Sequence, residues 1–579
     1  MEKAKALNED GGTIAMESVE QMGEMVKTDV MIVGGGLAGN NAAIAAAEKG
    51  VRVLIVDKSS IERCGAIAGG VDHFMAYLGT DTWDKREAYL EWVSRIARGA
   101  VNLSVQNAIF CRELDAAIER MDRIGCTLKQ PDGTYYRTSS LGQPGPYFIN
   151  FNGKQLKPLL AREAKCLGVQ TLEKFALCGL LTNNGKVIGG VGFHIRTGKF
   201  YTIKAKATIL ATGNTNRIFE NPSGLPFNTW QCPANTGAAQ AMAYEVGAKL
   251  ANMEFVRITV VPRGFSAAGL NAFTGMGGKI VNGAGEEFMS RYHPAGNKAP
   301  RYKLVEGVMK EVYEGRGPVY VDCRHLSPND LKHLKKTLGY DKETLPDFIE
   351  QKGIDLGKAP LEIMASEGMQ GGPSEVCSSG IMIDERTAST IPGLFAAGDC
   401  ADQMRCVHLC TTGGYLAGKM AAEYAKACSK EPELIASQVK ELKEKTFAPL
   451  KASGRISQRK FEDTMRKMLW QNAGPARSER SLNVALEKME ELEKYFKEMK
   501  AQNYHELMRV LETDQIIQVA KMMCEASLSR KETRFGVYHY RTDYPEANKE
   551  YEGQIVLWRT EQGIKTAFKK LDYSMIPTP

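Results

Sequence analysis

The glycine cluster at residues 34–39 constrains the fold of this chain more than any other feature. An apolar run, DVMIV at 29–33, leads into Gly-Gly-Gly-Leu-Ala-Gly, an alanine-rich segment follows to Gly50, and a second apolar run ends at Asp57. Two short apolar runs on either side of a longer alanine-rich segment predict strand, tight turn, helix and strand. The segment is therefore predicted to be a βαβ unit.

The G-x-G-x-x-G spacing has a physical meaning between a strand and a helix. Gly34 permits the turn, Gly36 lets backbone N–H groups approach a pyrophosphate, and Gly39 lets helix and strand pack closely. The N-terminus of the helix then faces the phosphate charge. Asp57 ends the second strand, where a carboxylate binds a ribose hydroxyl. We interpret the unit as a Rossmann-type dinucleotide fold.

Two distant segments repeat this pattern. AKATILATGNTN at 205–216 and IPGLFAAGDCAD at 391–402 each run from an apolar strand into small residues. In flavoproteins such segments return to the first sheet and close around the cofactor. The sequence therefore predicts an α/β fold with a discontinuous FAD-binding domain.

The domain plan follows from where these segments lie. We expect a polar leader at 1–27, an FAD-binding domain at 28–220 and 371–430, and an inserted α+β capping domain for the substrate at 221–370. Beyond residue 430 the chain has long charged segments with apolar positions at helical spacing. Residues 431–579 are therefore predicted to form a helical domain with an irregular tail.

Charge and hydrophobicity exclude several classes of function. The net charge is +7, but 75 Lys and Arg residues are interleaved with 68 Asp and Glu residues. Because there is no dense basic block, nucleic acid is not an expected partner. No run of about 18 apolar residues exists, so no membrane span is expected. The polar N-terminal segment has no apolar core of the kind that a secretory signal needs.

Cysteine usage predicts a reducing compartment. Thirteen cysteines are scattered along the chain and no C-x-x-C occurs. This usage is typical of a cytoplasmic protein, and it argues against an iron–sulfur cluster or a structural zinc in this chain. Cys400, Cys406 and Cys410 lie close to His408, but their spacing matches no common metal-binding pattern, so no metal site is predicted.

The three sheet segments together resemble the fumarate reductase/succinate dehydrogenase flavoprotein superfamily over nearly the whole chain. EFVRITVVPRGFSAAG and GGKIVNGAGEEFMSRYHP resemble its capping region, and SRKETRFGVYHYRTDYPE resembles its Arg/Tyr-rich C-terminal signature. Within the superfamily the chain is most similar to adenylylsulfate reductase alpha subunits. That similarity rests on GAIAGGVDHFMAYLGT, FNGKQLKPLLAREAK, PSGLPFNTWQCPANTG and the run from Ala248 to Phe265.

The resemblance implies a non-covalently bound FAD and an iron–sulfur, ferredoxin-like partner subunit or electron carrier, hence a hetero-oligomer. Relatives that tether FAD do so through a His just before Gly69-Gly70, and this chain has no His there. The resemblance and the motifs together predict one set of cofactor-binding residues: Gly34, Gly36, Leu37, Ala38, Gly39, Asp57, Lys58, Gly65, Ala66, Gly69, Gly70, Ala211, Thr212, Gly213, Gly398, Asp399, Thr412 and Gly413.

The resemblance also suggests five catalytic candidates. Trp230 matches the tryptophan that packs near flavin and substrate, and Arg263 falls near the substrate-binding arginine. Arg301 stands for a proton-donating arginine, which requires a one-residue gap. Glu375 occupies the place of the active-site histidine, and His408 is a candidate proton donor near flavin N1 or the substrate. Arg263 also fits an exposed surface arginine, Arg301 has a structural alternative, Trp230 fits core packing, and His408 fits a satisfied polar residue beside the flavin. Glu375 either faces a less anionic part of the substrate or is protonated by burial and serves as an acid.

Three functions fit this pattern. The first is a catalytic alpha subunit resembling adenylylsulfate reductase, which reduces a small anionic substrate at flavin N5. The second is a fumarate- or enoate-type reductase, in which N5 delivers hydride to an activated double bond. The third is an electron-transfer flavin subunit of a larger redox complex. Several substrate-binding residues of the family are not found at the matching positions of this sequence, so all three functions remain candidates.

Overall fold

The computed structural model describes residues 18–139, 143–224, 231–265, 267, 269–341, 344–372, 376–571 and 573. The first part of the chain supplies most of one large sheet and the helices beside it. Its strands are β1 Glu24–Val33, β2 Val53–Val56, β3 His73–Met75, β4 Arg137–Thr138, β5 Phe148–Asn150, β6 Gln170–Leu172, β7 Phe175–Asn183, β8 Lys186–His194 and β9 Phe200–Leu210. Its helices are α1 Leu37–Glu48, α2 Arg86–Ala97, α3 Leu103–Gln106, α4 Leu114–Arg123 and α5 Leu156–Cys166.

The inserted part mixes short strands with helices. Its helices are α6 Ala238–Glu245, α7 Leu270–Gly275, α8 Arg301–Tyr313, α9 Pro328–Asp341 and α10 Thr344–Gln351. Its strands are β10 Leu250–Ala251, β11 Val256–Arg257, β12 Val260–Pro262, β13 Lys279–Val281, β14 Val319–Asp322, β15 Leu361–Ala365 and β16 Met369–Gln370. Strands β12, β15, β14 and β13 form an antiparallel sheet in that order.

The last part returns to the large sheet and continues into long helices. Its strands are β17 Gly380–Ile381, β18 Leu394–Ala396, β19 Ala476–Arg477, β20 Tyr540–Arg541, β21 Gln554–Thr560 and β22 Gly563–Lys569. Its helices are α11 Val407–Ala427, α12 Ala436–Lys451, α13 Gln458–Ala473, α14 Glu479–Phe496 and α15 Tyr504–Ser529.

The large sheet has the strand order β6-β2-β1-β9-β8-β7, with β18 paired to the end of β9. Strands β6, β2, β1, β9 and β18 are parallel, and β8 and β7 extend the sheet antiparallel. Parallel strands buried on both faces are expected to be continuously apolar, and Val30, Met31 and Ile32 are fully buried. The pairing of β18 with β9 confirms that the chain returns to this sheet after the insertion.

Helix α1 packs against α11 on one face of the sheet. Its alanine-rich sequence allows this close approach, because small side chains let two helices come together over a parallel sheet. A Cβ at Gly39 would lie 1.8 Å from the carbonyl oxygen of Gly34, so only glycine fits between the helix and the turn. The third glycine of the motif is therefore a packing residue, as its spacing predicts.

The N-terminal boundary differs from the expected leader at 1–27. Strand β1 begins at Glu24, and a 3₁₀ helix spans Val19–Met22. Val19 and Met22 are buried with Val439 of α12 in a small apolar cluster, which explains why this polar-looking segment is ordered. The first strand is longer than its apolar run, and its first four residues are exposed or partly buried.

The C-terminal part is helical from α12 to α15, and the described part of its tail is largely irregular up to Gly553 and then forms strands. Strands β21 and β22 form an antiparallel hairpin, and Leu557 of β21 pairs with Leu250 of β10. The arginines of the C-terminal signature are buried: Arg530 Nε lies 2.6 Å from Glu254 Oε1, across the boundary to the inserted part. These ion pairs and the hairpin join the tail to the rest of the chain.

Candidate functional site

One cavity of about 360 Å³ lies at the carboxyl ends of the parallel strands, between the large sheet and the inserted part. Ligands of open α/β sheets bind at this edge. Thirteen predicted cofactor residues line the cavity: Gly34, Gly36, Leu37, Ala38, Asp57, Lys58, Gly65, Ala66, Ala211, Thr212, Gly213, Gly398 and Asp399. The three segments that the sequence predicts to converge therefore do meet at one place.

The turn between β1 and α1 has the geometry of a phosphate cradle. Gly34 has φ +102°, and a Cβ there would lie 2.5 Å from the carbonyl oxygen of Ala211, so a side chain is excluded. A Cβ on Gly36, by contrast, would have no atom within 4 Å, because that position faces the cavity. Gly36 is also the N-cap residue, directly before the first residue of α1. The open space and the helix N-terminus together fit a pyrophosphate.

Asp57 is held rigidly at the end of β2. Its Oδ2 accepts a hydrogen bond of 2.7 Å from Gly35 N, and its Oδ1 accepts one of 2.6 Å from Ser59 N. Each carboxylate oxygen retains a second lone pair for a ribose hydroxyl. Lys58 lines the cavity beside it and donates to Glu512 Oε1 at 2.8 Å, which connects this corner to α15. We call Gly34–Ala38, Asp57 and Lys58 the nucleotide end of the cavity.

Five predicted cofactor residues lie outside the cavity lining: Gly39, Gly69, Gly70, Thr412 and Gly413. Gly39 packs under the turn, as described above. Gly69 is exposed, and a Cβ at Gly70 would lie 2.8 Å from the carbonyl oxygen of Tyr340 in α9. Thr412 Oγ1 donates to the carbonyl of His408 within α11. These residues shape the loop and helix around the site, and their contact with the cofactor stays a prediction.

Arginine side chains line the opposite part of the cavity. Arg257 ends β11, and Arg301 begins α8 with its Nη2 3.1 Å from Asn271 Oδ1. Both line the cavity, as do Asn271 and Thr259. Arg301 was a sequence candidate. Arg257 was missed, although a basic residue within the apolar run FVRITVV is a signal that could have identified it.

Arg405, just before α11, also lines the cavity and is 1% exposed. Its Nη2 donates to the carbonyl of Ser379 at 3.2 Å, while Nε and Nη1 have no hydrogen-bond partner among the described residues. Burial lowers the pKa of this guanidinium, but arginine remains charged in proteins. A Cβ at Gly371 would lie 2.0 Å from Nη1, so a glycine is needed for the backbone to pass here. We call Arg257, Arg301 and Arg405 the arginine end.

Two catalytic candidates occupy other places. Arg263 follows β12, its side chain is 57% exposed, and it pairs with Glu362 at 3.1 Å outside the cavity lining. We therefore correct its assignment as a substrate-binding residue: the loop that carries it turns to the surface. His408 is buried in the first turn of α11, edge-on to Phe74 and Phe110, and also lies outside the cavity lining. Trp230 and Glu375 lie outside the described residues.

A parallel sheet, a glycine turn at its carboxyl edge and a carboxylate after the second strand define a dinucleotide-binding protein. Comparison with known families identifies the class. The FAD binding domain family matches residues 29–412, and the fumarate reductase flavoprotein C-terminal family matches 462–579. The chain belongs to the FAD-binding family of fumarate reductase and succinate dehydrogenase flavoproteins, and it is an FAD-dependent oxidoreductase.

Individual relatives match over almost their full length. An uncharacterized FAD-dependent oxidoreductase of Methanocaldococcus jannaschii is 27% identical, and the match covers 95% of this chain and 99% of the relative. A fumarate reductase (CoM/CoB) subunit of Methanothermobacter marburgensis is 27% identical, covering 93% and 98%. The solved adenylylsulfate reductase of Archaeoglobus fulgidus has a TM-score of 0.83 at 26% identity, covering 95% and 97%.

Two further features are absent from the described part of the chain. No cluster of three or more His, Cys, Asp or Glu residues there has the arrangement of a metal site. Among the same residues, no helix combines the length and apolar character that a membrane crossing requires.

Proposed function

We propose that this chain is the catalytic flavoprotein subunit of a reductase that takes electrons from an iron–sulfur partner and reduces a small anionic substrate. The observation that carries the proposal is the arginine end. Its three guanidinium groups line the cavity that also contains the flavin-binding motifs, and those of Arg301 and Arg405 are buried. Such cations attract carboxylate, sulfate or phosphate groups, and an arginine fork binds them through two parallel hydrogen bonds.

Within this proposal the chain binds and orients both partners of the reaction. FAD supplies the two-electron chemistry, because flavin accepts and donates hydride equivalents. The nucleotide end holds the cofactor non-covalently. The arginine end holds the substrate anion. Arg405 can donate from its buried Nε and Nη1, which have no hydrogen-bond partner among the described residues, and Asn271 orients the guanidinium of Arg301. The inserted part covers the cavity with residues of α7 and α9, which excludes water from the reacting groups.

The substrate we favour first is adenylylsulfate, because the chain resembles adenylylsulfate reductase in fold and over nearly its whole length. The second candidate is an unsaturated dicarboxylate, because the relative in Methanothermobacter marburgensis is named as a fumarate reductase subunit. Both are anions that the arginine end can bind. For the second, Arg301 is the group we assign to proton delivery.

The electron source is proposed to be a separate iron–sulfur subunit, so that the working enzyme is a cytoplasmic hetero-oligomer. Relatives of this chain are named as single subunits of larger enzymes, which supports this division. The chain has one dinucleotide fingerprint, and that fingerprint is used by FAD. Direct reduction of the flavin by a nicotinamide cofactor is therefore expected to be slow.

The substrate proposal is tested by product analysis. The purified flavoprotein is reduced anaerobically with a dye, mixed separately with adenylylsulfate and with fumarate, and the products are identified. AMP with sulfite supports the first candidate and succinate supports the second. Reduced flavin that forms neither product contradicts the catalytic assignment and favours an electron-transfer subunit.

A further inference from the structure

A cysteine, a histidine and an aspartate form a chain of contacts in the same cavity. Cys406 is the residue directly before α11, and its Sγ lies 3.8 Å from Nε2 of His73. Nδ1 of His73 lies 2.6 Å from Oδ1 of Asp72. All three residues line the cavity. This is the arrangement of a nucleophile, a base and an orienting carboxylate.

The backbone at Cys406 is unusual for a residue with a side chain. Its φ is 146° and its ψ 175°, a region that is essentially restricted to glycine. Such strained positions cluster at functional sites, where the surrounding structure holds them in place. The strain does not serve packing, because the thiol is only partly buried and faces the cavity. Cys377 and Cys400 nearby, by contrast, are fully buried.

The charges around Cys406 come from the end of the loop before β3, from the 3₁₀ helix at 398–400 and from the start of α11. The titratable and charged groups that face it are Asp72, His73, Asp399, Arg405, His408 and Cys410. Burial opposes ionisation of the thiol, but His408 and His73 outweigh it and lower the pKa of Cys406 to about 5. Asp72 keeps His73 protonated by raising its pKa, against the effect of burial.

Cys410, one turn further along α11, has its pKa shifted in the opposite direction to that of Cys406. It lines the same cavity, but its Sγ lies 3.4 Å from Oδ1 of Asp399. Burial and this carboxylate raise the pKa of Cys410 well above the ordinary value. The cavity therefore presents two thiols whose pKa values are shifted in opposite directions, that of Cys406 downward and that of Cys410 upward.

We propose that Cys406 is a nucleophilic thiolate that undergoes thiol–disulfide exchange with small anionic disulfides entering the cavity. The sulfur of Cys406 attacks one sulfur of the disulfide, and the new S–S bond forms as the old one breaks. The bonding pair of the old bond leaves with the other half as a thiolate, which takes a proton from solvent. No further oxidant or reductant is required.

The preference for an anion comes from Arg405, the neighbour of Cys406 in the sequence. Its buried Nε and Nη1 lack a hydrogen-bond partner among the described residues and line the same cavity. A carboxylate on the disulfide satisfies these donors and places its sulfur near the thiolate. The exchange does not use flavin reduction, so its failure leaves the reductase proposal untouched.

The test uses 5,5′-dithiobis(2-nitrobenzoate), an anionic disulfide, with the flavin-loaded full chain. Release of the coloured thiolate is followed from acid to neutral pH, and the modified peptide is identified by mass spectrometry. We expect a rapid phase at Cys406 with a half-maximal rate near pH 5. Cys406→Ser abolishes this phase, whereas Cys410→Ser retains it.

Two comparisons separate the proposed mechanism from simple accessibility. His73→Gln moves the half-maximal pH upward toward the ordinary thiol value of about 8.5. The second comparison measures how much faster Cys406 reacts than the exposed Cys166. We expect this rate ratio to be high with the anionic reagent and to fall with a neutral one, 4,4′-dithiodipyridine. The proposal is overturned if the rapid phase survives in Cys406→Ser. It is equally overturned if Cys406 does not react in the flavin-loaded chain, or reacts with an ordinary thiol pH profile.

Discussion

The two ends of the cavity recognise their ligands by different means. The nucleotide end works mainly through backbone: a turn that excludes side chains, an open position at Gly36 and the N-terminus of α1. The arginine end works through side chains that arrive from three separate elements, β11, α8 and the start of α11. Backbone recognition depends on local sequence, whereas side-chain recognition depends on how distant segments pack. This difference explains both what mutations should do and what the sequence could predict.

The largest effect is expected at the nucleotide end. Gly36→Val places a branched side chain in the space reserved for the pyrophosphate, so the variant should purify without flavin. The flavin content is measured by absorbance after release. Gly275→Val is the matched control, because that glycine is exposed in α7 and a Cβ there meets no atom within 4 Å. Full flavin occupancy in Gly36→Val would show that the pyrophosphate binds elsewhere.

The next effect concerns the buried ion pairs that Glu512 forms with Lys58 of the nucleotide end and with Arg217. Glu512 of α15 lies 2.7 Å from Arg217 and 2.8 Å from Lys58, and it is buried. Removing one partner of a buried ion pair costs about 3–5 kcal/mol, so Glu512→Gln should lower the free energy of unfolding by that amount. The exposed Glu491→Gln on α14 is the control and should change little. Equal stability of both variants would contradict a structural role for these ion pairs.

The pH dependence of stability follows from the same carboxylate. Burial opposes its ionisation, but Lys58 and Arg217 lower the pKa of Glu512 to about 2. Because the folded pKa lies below the unfolded value of about 4.3, the stabilisation is complete above that value and is lost as pH falls toward 2. Denaturant titrations between about pH 6 and about pH 3 measure the free energy of unfolding. This free energy should fall less steeply with pH in Glu512→Gln than in the unmodified chain.

The arginine end predicts an intermediate effect on substrate affinity. Arg405→Met removes a charge-assisted hydrogen bond to the bound anion, which is worth about 1.5–3 kcal/mol, or roughly a ten- to hundredfold loss of affinity. Binding is measured by perturbation of the flavin spectrum, and retained flavin shows that the site is intact. Arg263→Met is the control, because that side chain is exposed and paired with Glu362. A larger loss in the control than in Arg405→Met would restore Arg263 as the substrate residue.

The smallest expected effect is again at the nucleotide end. Asp57→Asn keeps an acceptor for the ribose hydroxyl but loses its charge, so FAD affinity should fall by about 1 kcal/mol, roughly fivefold. Titration of the apoprotein with FAD measures this change, with the exposed Asp132→Asn as control. A loss as large as that in Gly36→Val would mean that side chains, not backbone, dominate at this end.

The same difference determines what could be predicted from the sequence. The βαβ unit, the returning strands and the residues of the nucleotide end follow from short local patterns, and the structure brings them together as expected. Gly69 and Gly70 lie outside the cavity lining, and a glycine pair in the sequence predicts a turn without indicating which side of that turn faces the cavity. The terminal hairpin was missed although β21 and β22 are adjacent in the sequence, and no local pattern indicates that β21 also pairs with the distant β10.

The arginine end was predicted only in part. Arg301 was identified through the resemblance, but Arg257 and Arg405 were not, because their convergence depends on how β11 and the start of α11 pack together. Arg263 was assigned through the resemblance, and it lies in a loop whose direction no local pattern specifies. The contact between Cys406 and His73 joins residues that are 333 positions apart in the sequence, and it likewise becomes visible only in three dimensions.

The central claim is that the flavin faces a site selective for anions, and rapid-mixing kinetics test it most directly. The bound flavin is reduced anaerobically and mixed with paired acceptors: fumarate against its neutral diamide, and adenylylsulfate against adenosine. We expect the reduced flavin to be reoxidised with saturable kinetics by at least one anion, and not to be reoxidised by the neutral partner of that anion. Equal reoxidation by a charged acceptor and its neutral partner, or reoxidation by neither anion, would contradict it.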